Sequence, residues 1–232
     1  HGALCIVSRA GIMTGLYLNS LEGGADMIPA GITMMPEHLK AHGYQTFATG
    51  KWHNDKESFV RAFEDGDNIF FGGMNFPEDG GHEHTLMHHF DPTGQYLKTA
   101  QFKAGKYSSN MFADAAIAYL NKNKDTHQPF FAYVAFTSPH DPRTPPPPFD
   151  KMYDPDKIPL PKNFLPKHPF DNGEMEVRDE KLLPVPRTAE MIKKEIALYY
   201  GMISEVDVQI GRILDALKAN GLDKNTLVIF AG

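Results

Sequence analysis

Residues 129–136 read Pro-Phe-Phe-Ala-Tyr-Val-Ala-Phe, a nearly unbroken apolar and aromatic run. A strand with one wet face alternates polar and apolar side chains, whereas a strand covered on both faces has no such need. The run therefore predicts a strand inside a mainly parallel sheet sandwiched by helices, an α/β architecture. Residues 227–230, Leu-Val-Ile-Phe, carry the same pattern and predict a second buried strand. Residues 44–49 read as a short strand leading to Gly50. Helices are expected over residues 8–17, from Pro36 to a stop at His42-Gly43, and over 109–121, where Met111, Phe112, Ala115, Ala116, Tyr119 and Leu120 share one face. The clearest periodicity is Ile192, Ile196, Tyr199, Ile203, Val206, Ile210, Ile213 and Leu217. It predicts one long amphipathic helix lying on the sheet and ending at Asn220-Gly221. Residues 64–107, rich in glycine, histidine and aspartate, read mostly as loop. Residues 139–187 are dense in proline and read as an ordered surface meander.

The chain has 232 residues, enough for one large domain or two small ones. A net charge of -6 supplies no basic field for nucleic acid, so an anionic substrate must be drawn by local cations. No apolar run approaches the roughly 18 residues that cross a bilayer. The sequence opens on His1 rather than methionine and reads as the interior of a longer polypeptide, which leaves the compartment open.

Cys5 is the sole cysteine, so it has no partner for an internal disulfide. Ser8 and Arg9 follow within one helical turn, and Thr14-Gly15 closes the segment. The free amides of a helix start suit an anion such as sulfate or phosphate. The bland reading of Cys5 is a small buried hydrophobe. Lys51 and His53, two apart on an extended turn, can point the same way and converge on one anion. His140 ends the apolar strand in the run Ser138-Pro139-His140-Asp141-Pro142-Arg143, where ligands of parallel sheets usually sit. His82, His84, His88 and His89 form a cluster that reads either as a zinc site or, better, as a hydrated loop facing substrate. Trp52 and the pair Tyr199-Tyr200 read as core or as support for the site.

Three of these stretches together resemble the type I sulfatases of the alkaline-phosphatase-like superfamily. They are Cys5-Ile6-Val7-Ser8-Arg9 with Thr14-Gly15, then Gly50-Lys51-Trp52-His53, and the Ser-Pro-His strand end. Val7 stands where that family usually has proline. The resemblance implies the N-terminal catalytic domain of a sulfatase, incomplete here, with an aspartate-bearing metal segment and a smaller C-terminal subdomain outside the 232 residues. It implies that a maturation enzyme oxidises Cys5 to formylglycine, whose hydrate attacks sulfur and also binds a divalent cation, usually calcium. Arg9 would neutralise charge at that group, and Lys51 would bind sulfate oxygens. His140 would bind or protonate the leaving oxygen, and His53 would take the proton that expels sulfate. Arg143 is a candidate for contacts beyond the sulfate. The implied substrate is a sulfated small molecule or saccharide, and a periplasmic or secreted location is favoured. Two alternatives remain: a phosphate or phosphonate monoester hydrolase of the same superfamily, or an inactive sulfatase-like protein that binds glycans.

Overall fold

The structure, a computed structural model, describes residues 4–21 and 26–232. Two compact units divide the chain: residues 1–142 with 206–232, and residues 143–205. The larger unit is built on a three-stranded parallel sheet in the order β2–β1–β5, from β1 (Gln45–Lys51), β2 (Asp65–Phe70) and β5 (Phe130–Ala135). β1 pairs with β5 in one register from Gln45 opposite Phe130 to Gly50 opposite Ala135. Against β2 its register shifts between Thr49 and Gly50.

The apolar run on β5 is explained by what covers it. Phe131 and Tyr133 pack toward a core of Ala10, Met13, Met34, Ala48, Trp52, Phe59, Phe63 and Ile69, while Phe130 and Ala132 pack on the opposite side against Phe47, Ala115, Tyr119, Leu120 and Leu217. The first face is closed by α1 (Cys5–Thr14), α2 (Met35–Ala41) and α3 (Lys56–Ala62), and the second by α4 (Ser108–Asn123) and the end of α5 (Ala189–Ala219). Burying apolar side chains on both faces removes the reason for alternation. The fold is thus the expected α/β arrangement.

Three expectations need correction. The stretch read as loop at 64–107 contains β2 and a small antiparallel pair, β3 (Leu86–Met87) with β4 (Phe102–Lys103). β2 reads Asp-Gly-Asp-Asn-Ile-Phe, with poor strand propensity, and is held by ladder bonds to β1 that no single-segment reading contains. Residues 227–230 form no strand and lie exposed, Leu227 at 84% and Phe230 at 81%. An apolar segment becomes a strand only where an edge supplies its hydrogen bonds, and no described strand pairs with it. Helix α1 begins at Cys5 and stops at Thr14, because Gly15 adopts φ 70° and returns its amide to Gly11 O at 2.8 Å.

In the smaller unit, regular structure before α5 is limited to single 3-10 turns such as Phe149–Lys151, Pro155–Lys157 and Arg178–Lys181. Pro145 and the Phe149 carbonyl press on Gly201 of α5, where a Cβ would lie 2.4 Å from that oxygen. Tyr153 bonds Ser204 at 2.8 Å. Of the expected α5 line, Leu217 is buried with Ile213 packed beside it, but Tyr199 and Ile203 are exposed, as is Tyr200, and Ala197, Met202, Glu205 and Gln209 are buried in addition.

Candidate active site

The carboxyl end of β1 and the start of α1 meet at the Cys5 side chain, and β5 flanks them through Tyr133 and its pairing with β1. Cys5 is the first residue of α1, so its Sγ lies beside the free amides and positive end of the helix dipole. Gly50 lets β1 reach this point. Its φ is 90°, and a Cβ would stand 2.0 Å from Ala135 O across the ladder. Lys51 follows, nearly buried at 3% exposure, and Trp52 locks the turn by donating from Nε1 to Asp55 O at 2.8 Å. Asp55 caps α3 by accepting from Ser58 N at 2.6 Å. His53, between these anchors, is held at φ 73°, a left-handed conformation costly for a non-glycine residue.

This geometry brings four expected residues together. Cys5 Sγ is 3.1 Å from His53 Nδ1 and 3.3 Å from Lys51 Nζ. Arg9, one helical turn along α1, donates from Nη1 to Lys51 O at 2.7 Å and to Tyr133 OH at 3.0 Å. It therefore grips the strand end that carries Lys51. Lys51 Nζ also donates to the Gly73 carbonyl. The loop that carries Gly73 lies against His53, since a Cβ on that glycine would meet His53 Nε2 at 2.7 Å.

The electrostatics suit a proton acceptor beside a cation. Burial, then the positive charges of Lys51, Arg9 and His140, push His53 down to about 4, so its imidazole is neutral at physiological pH. Lys51 is lowered by burial and by Arg9, against the opposing pull of Cys5. A neutral imidazole and a cationic amine on one side-chain atom can remove a proton from it and hold a neighbouring anion.

His140 follows β5 in a turn closed by its amide to Thr137 O at 3.0 Å. Its Nδ1 is 3.0 Å from Asp141 Oδ1. Arg143 belongs to the smaller unit, where Nη1 pairs with Glu195 Oε2 at 2.9 Å. The histidine cluster does not act as one group. His82 and His88 are buried, whereas His84 and His89 are exposed, and His89 pairs with Asp67 at 2.7 Å. The zinc reading is therefore withdrawn.

No three histidine, cysteine, aspartate or glutamate side chains converge as a metal site among the described residues. What touches Cys5 is an amine and an imidazole, with the Arg9 guanidinium held on the Lys51 carbonyl, a set of groups that supplies no oxygen ligands to a hard divalent cation. The described residues do not by themselves fit calcium. Two residues that the sequence reading passed over contribute here, Tyr133 as a partner of Arg9 and Gly73 as a partner of Lys51. No motif marks either one, because both are placed by pairing across the sheet and loop.

A buried amine and a neutral imidazole meet one half-buried side chain at the carboxyl end of a parallel sheet, where ligands of such sheets usually sit. The chain belongs to the sulfatase family: the family model described as Sulfatase matches residues 1–232. Among curated relatives, the uncharacterized sulfatase YdeN of Escherichia coli is 30% identical, with 96% of this chain and 37% of that protein covered. Solved structures that share the fold include two with different chemistry in their names. The phosphonate monoester hydrolase of Silicibacter pomeroyi has TM-score 0.61 and 22% identity over 93% of this chain and 50% of its own. BT4656, solved with its substrate D-glucosamine-2-N,6-O-disulfate, has TM-score 0.57 and 19% identity over 96% of this chain and 54% of its own. The chain thus spans only part of the length of these proteins.

Proposed function

We propose that this chain carries the nucleophile-bearing part of a sulfatase that hydrolyses a sulfate ester on a sulfated saccharide, through a formylglycine made from Cys5. The observation that carries the reading is the placement of Cys5 Sγ between His53 Nδ1 at 3.1 Å and Lys51 Nζ at 3.3 Å. An oxygen on the same carbon would face the same base and the same amine, so the residues suit the modified side chain. Once oxidised by a maturation enzyme, Cys5 would supply a hydrated aldehyde as the nucleophile toward sulfur. Lys51 would hold the sulfate oxygens, with little to pay in reorganisation because Gly73 and β1 already orient its amine. Arg9 would keep Lys51 in place through the carbonyl contact. His53, neutral at working pH, would accept the proton from the nucleophile side, and His140 would serve the leaving oxygen.

The saccharide substrate is supported by BT4656, whose bound substrate is a sulfated glucosamine. A second reading, phosphate or phosphonate monoester hydrolysis, is favoured by the likeness to the Silicibacter pomeroyi enzyme. Turnover of an aryl sulfate against the matching aryl phosphate and phosphonate, by the complete protein, separates the two. Mass spectrometry of the Cys5 peptide from a host with the maturation enzyme tests the nucleophile. Conversion to the aldehyde is expected, and an intact thiol would instead support the inactive glycan-binding reading that Val7 motivates.

A further inference from the structure

His82 sits outside the pair of side chains that touch Cys5, and it is buried at 1% exposure. Its Nε2 is 3.0 Å from the carbonyl oxygen of His140, which can only accept, so Nε2 carries the proton and donates. Nδ1 is then the bare lone pair. The amide nitrogen of Asn75 lies 3.1 Å from it, with Thr137 Oγ1 at 3.2 Å and Ser108 Oγ at 3.3 Å. The two hydroxyls are bonded to each other at 2.9 Å, and the ring stacks on Tyr107 with centroids 5.4 Å apart. Burial holds His82 down at about 4, which keeps this single tautomer at neutral pH. One imidazole therefore joins the turn that carries His140 to the loop of Gly73 and Asn75, and that loop touches both Lys51 and His53.

We infer that His82 is a positioning residue, fixing His140 relative to the Lys51–His53 arm by donating to the His140 carbonyl while accepting from Asn75. The inference rests on the reading that these three residues serve one reaction. Its two bonds are separable. Glutamine places an amide nitrogen near the Nε2 position and keeps the bond to His140. Asparagine places an amide oxygen near the Nδ1 position and keeps the bond to Asn75.

Hydrogen–deuterium exchange on the full chain reads both without any turnover. His82→Ala should raise exchange about tenfold or more in peptides 71–76 and 137–142, since each loses a buried bond. His82→Gln should restore 137–142 alone, and His82→Asn 71–76 alone. Unchanged exchange in His82→Ala, or glutamine and asparagine variants that behave alike, would overturn the inference. In the complete protein, His82→Ala should lower kcat by about 10- to 100-fold with KM within about threefold, because misplacement affects the reacting geometry more than anion binding. His82→Gln should recover most of kcat, and equal losses in the two variants would also overturn it. If the wild type hydrolyses no sulfate ester, the proposed function fails while the exchange pattern still decides the role of His82.

Discussion

Lys51 shows what burial does to a single cation. Placed at 3% exposure beside Arg9, its charge is costly unless an anion or sulfur meets it, and Cys5 Sγ at 3.3 Å does so. Lys51→Met in the complete protein is therefore expected to lower kcat/KM for an aryl sulfate by about 10²- to 10³-fold, as loss of one oriented charge donor does. Steady-state kinetics check this, and an unchanged value would remove Lys51 from the reaction. His53 and His82 give a pH prediction. Both are held at about 4 in the folded chain, against about 6.5 for an exposed histidine, so the unfolded chain binds more protons between those values. The stability from burying both as neutral rings is fully present above pH 6.5 and is lost as pH falls toward 4. The urea midpoint should drop between pH 7 and pH 4.5, and His82→Gln should flatten that drop. An unchanged slope in that variant would mean that His82 titrates normally.

At the scale of elements, the close approach of β1 and β5 decides where the site can form. The Gly50 position tolerates no side chain, with φ at 90° and a Cβ only 2.0 Å from Ala135 O. Gly50→Ala is expected to cost on the order of 3–5 kcal/mol by urea unfolding, because backbone strain and a backbone clash add. A loss under about 1 kcal/mol would show that the strands can part freely. The elements also show which patterns were readable. β5 was legible because an apolar run with no alternation has one cheap solution, burial on both faces. β2 was not, since Asp65, Gly66, Asp67 and Asn68 have low strand propensity and form a strand only beside β1. Residues 227–230 show the converse, a strong strand pattern that pairs with no described strand.

On the scale of the whole molecule, charge decides what the described residues can bind. The chain carries -6 overall, yet Lys51 stands at Cys5 with Arg9 on its carbonyl, so the proposed anionic substrate would be drawn there against the global field. The same cations disfavour a divalent metal, and no three potential ligands converge elsewhere among the described residues. Calorimetric titration of these 232 residues with calcium chloride should give no saturable heat up to about millimolar concentration, the weak end of protein calcium sites. Micromolar binding would contradict that expectation. Lys51 and His53 could be paired from their spacing, whereas Cys5, 46 residues before Lys51, is joined to them only by the resemblance of both stretches to sulfatase motifs. The periodicity of Ile192 to Leu217 and the apolar β5 run likewise specify a helix and a doubly covered strand without knowledge of neighbours. Only the tertiary structure could supply the contact of Lys51 with Gly73, the hold of Tyr133 on Arg9 and the bridge of His82 to His140. Each joins residues far apart in sequence through a single hydrogen bond, and such a bond leaves no periodicity or motif behind. They meet because parallel pairing of β1 with β2 and with β5 brings the carboxyl ends of all three strands, and the segments that follow them, to one end of the sheet.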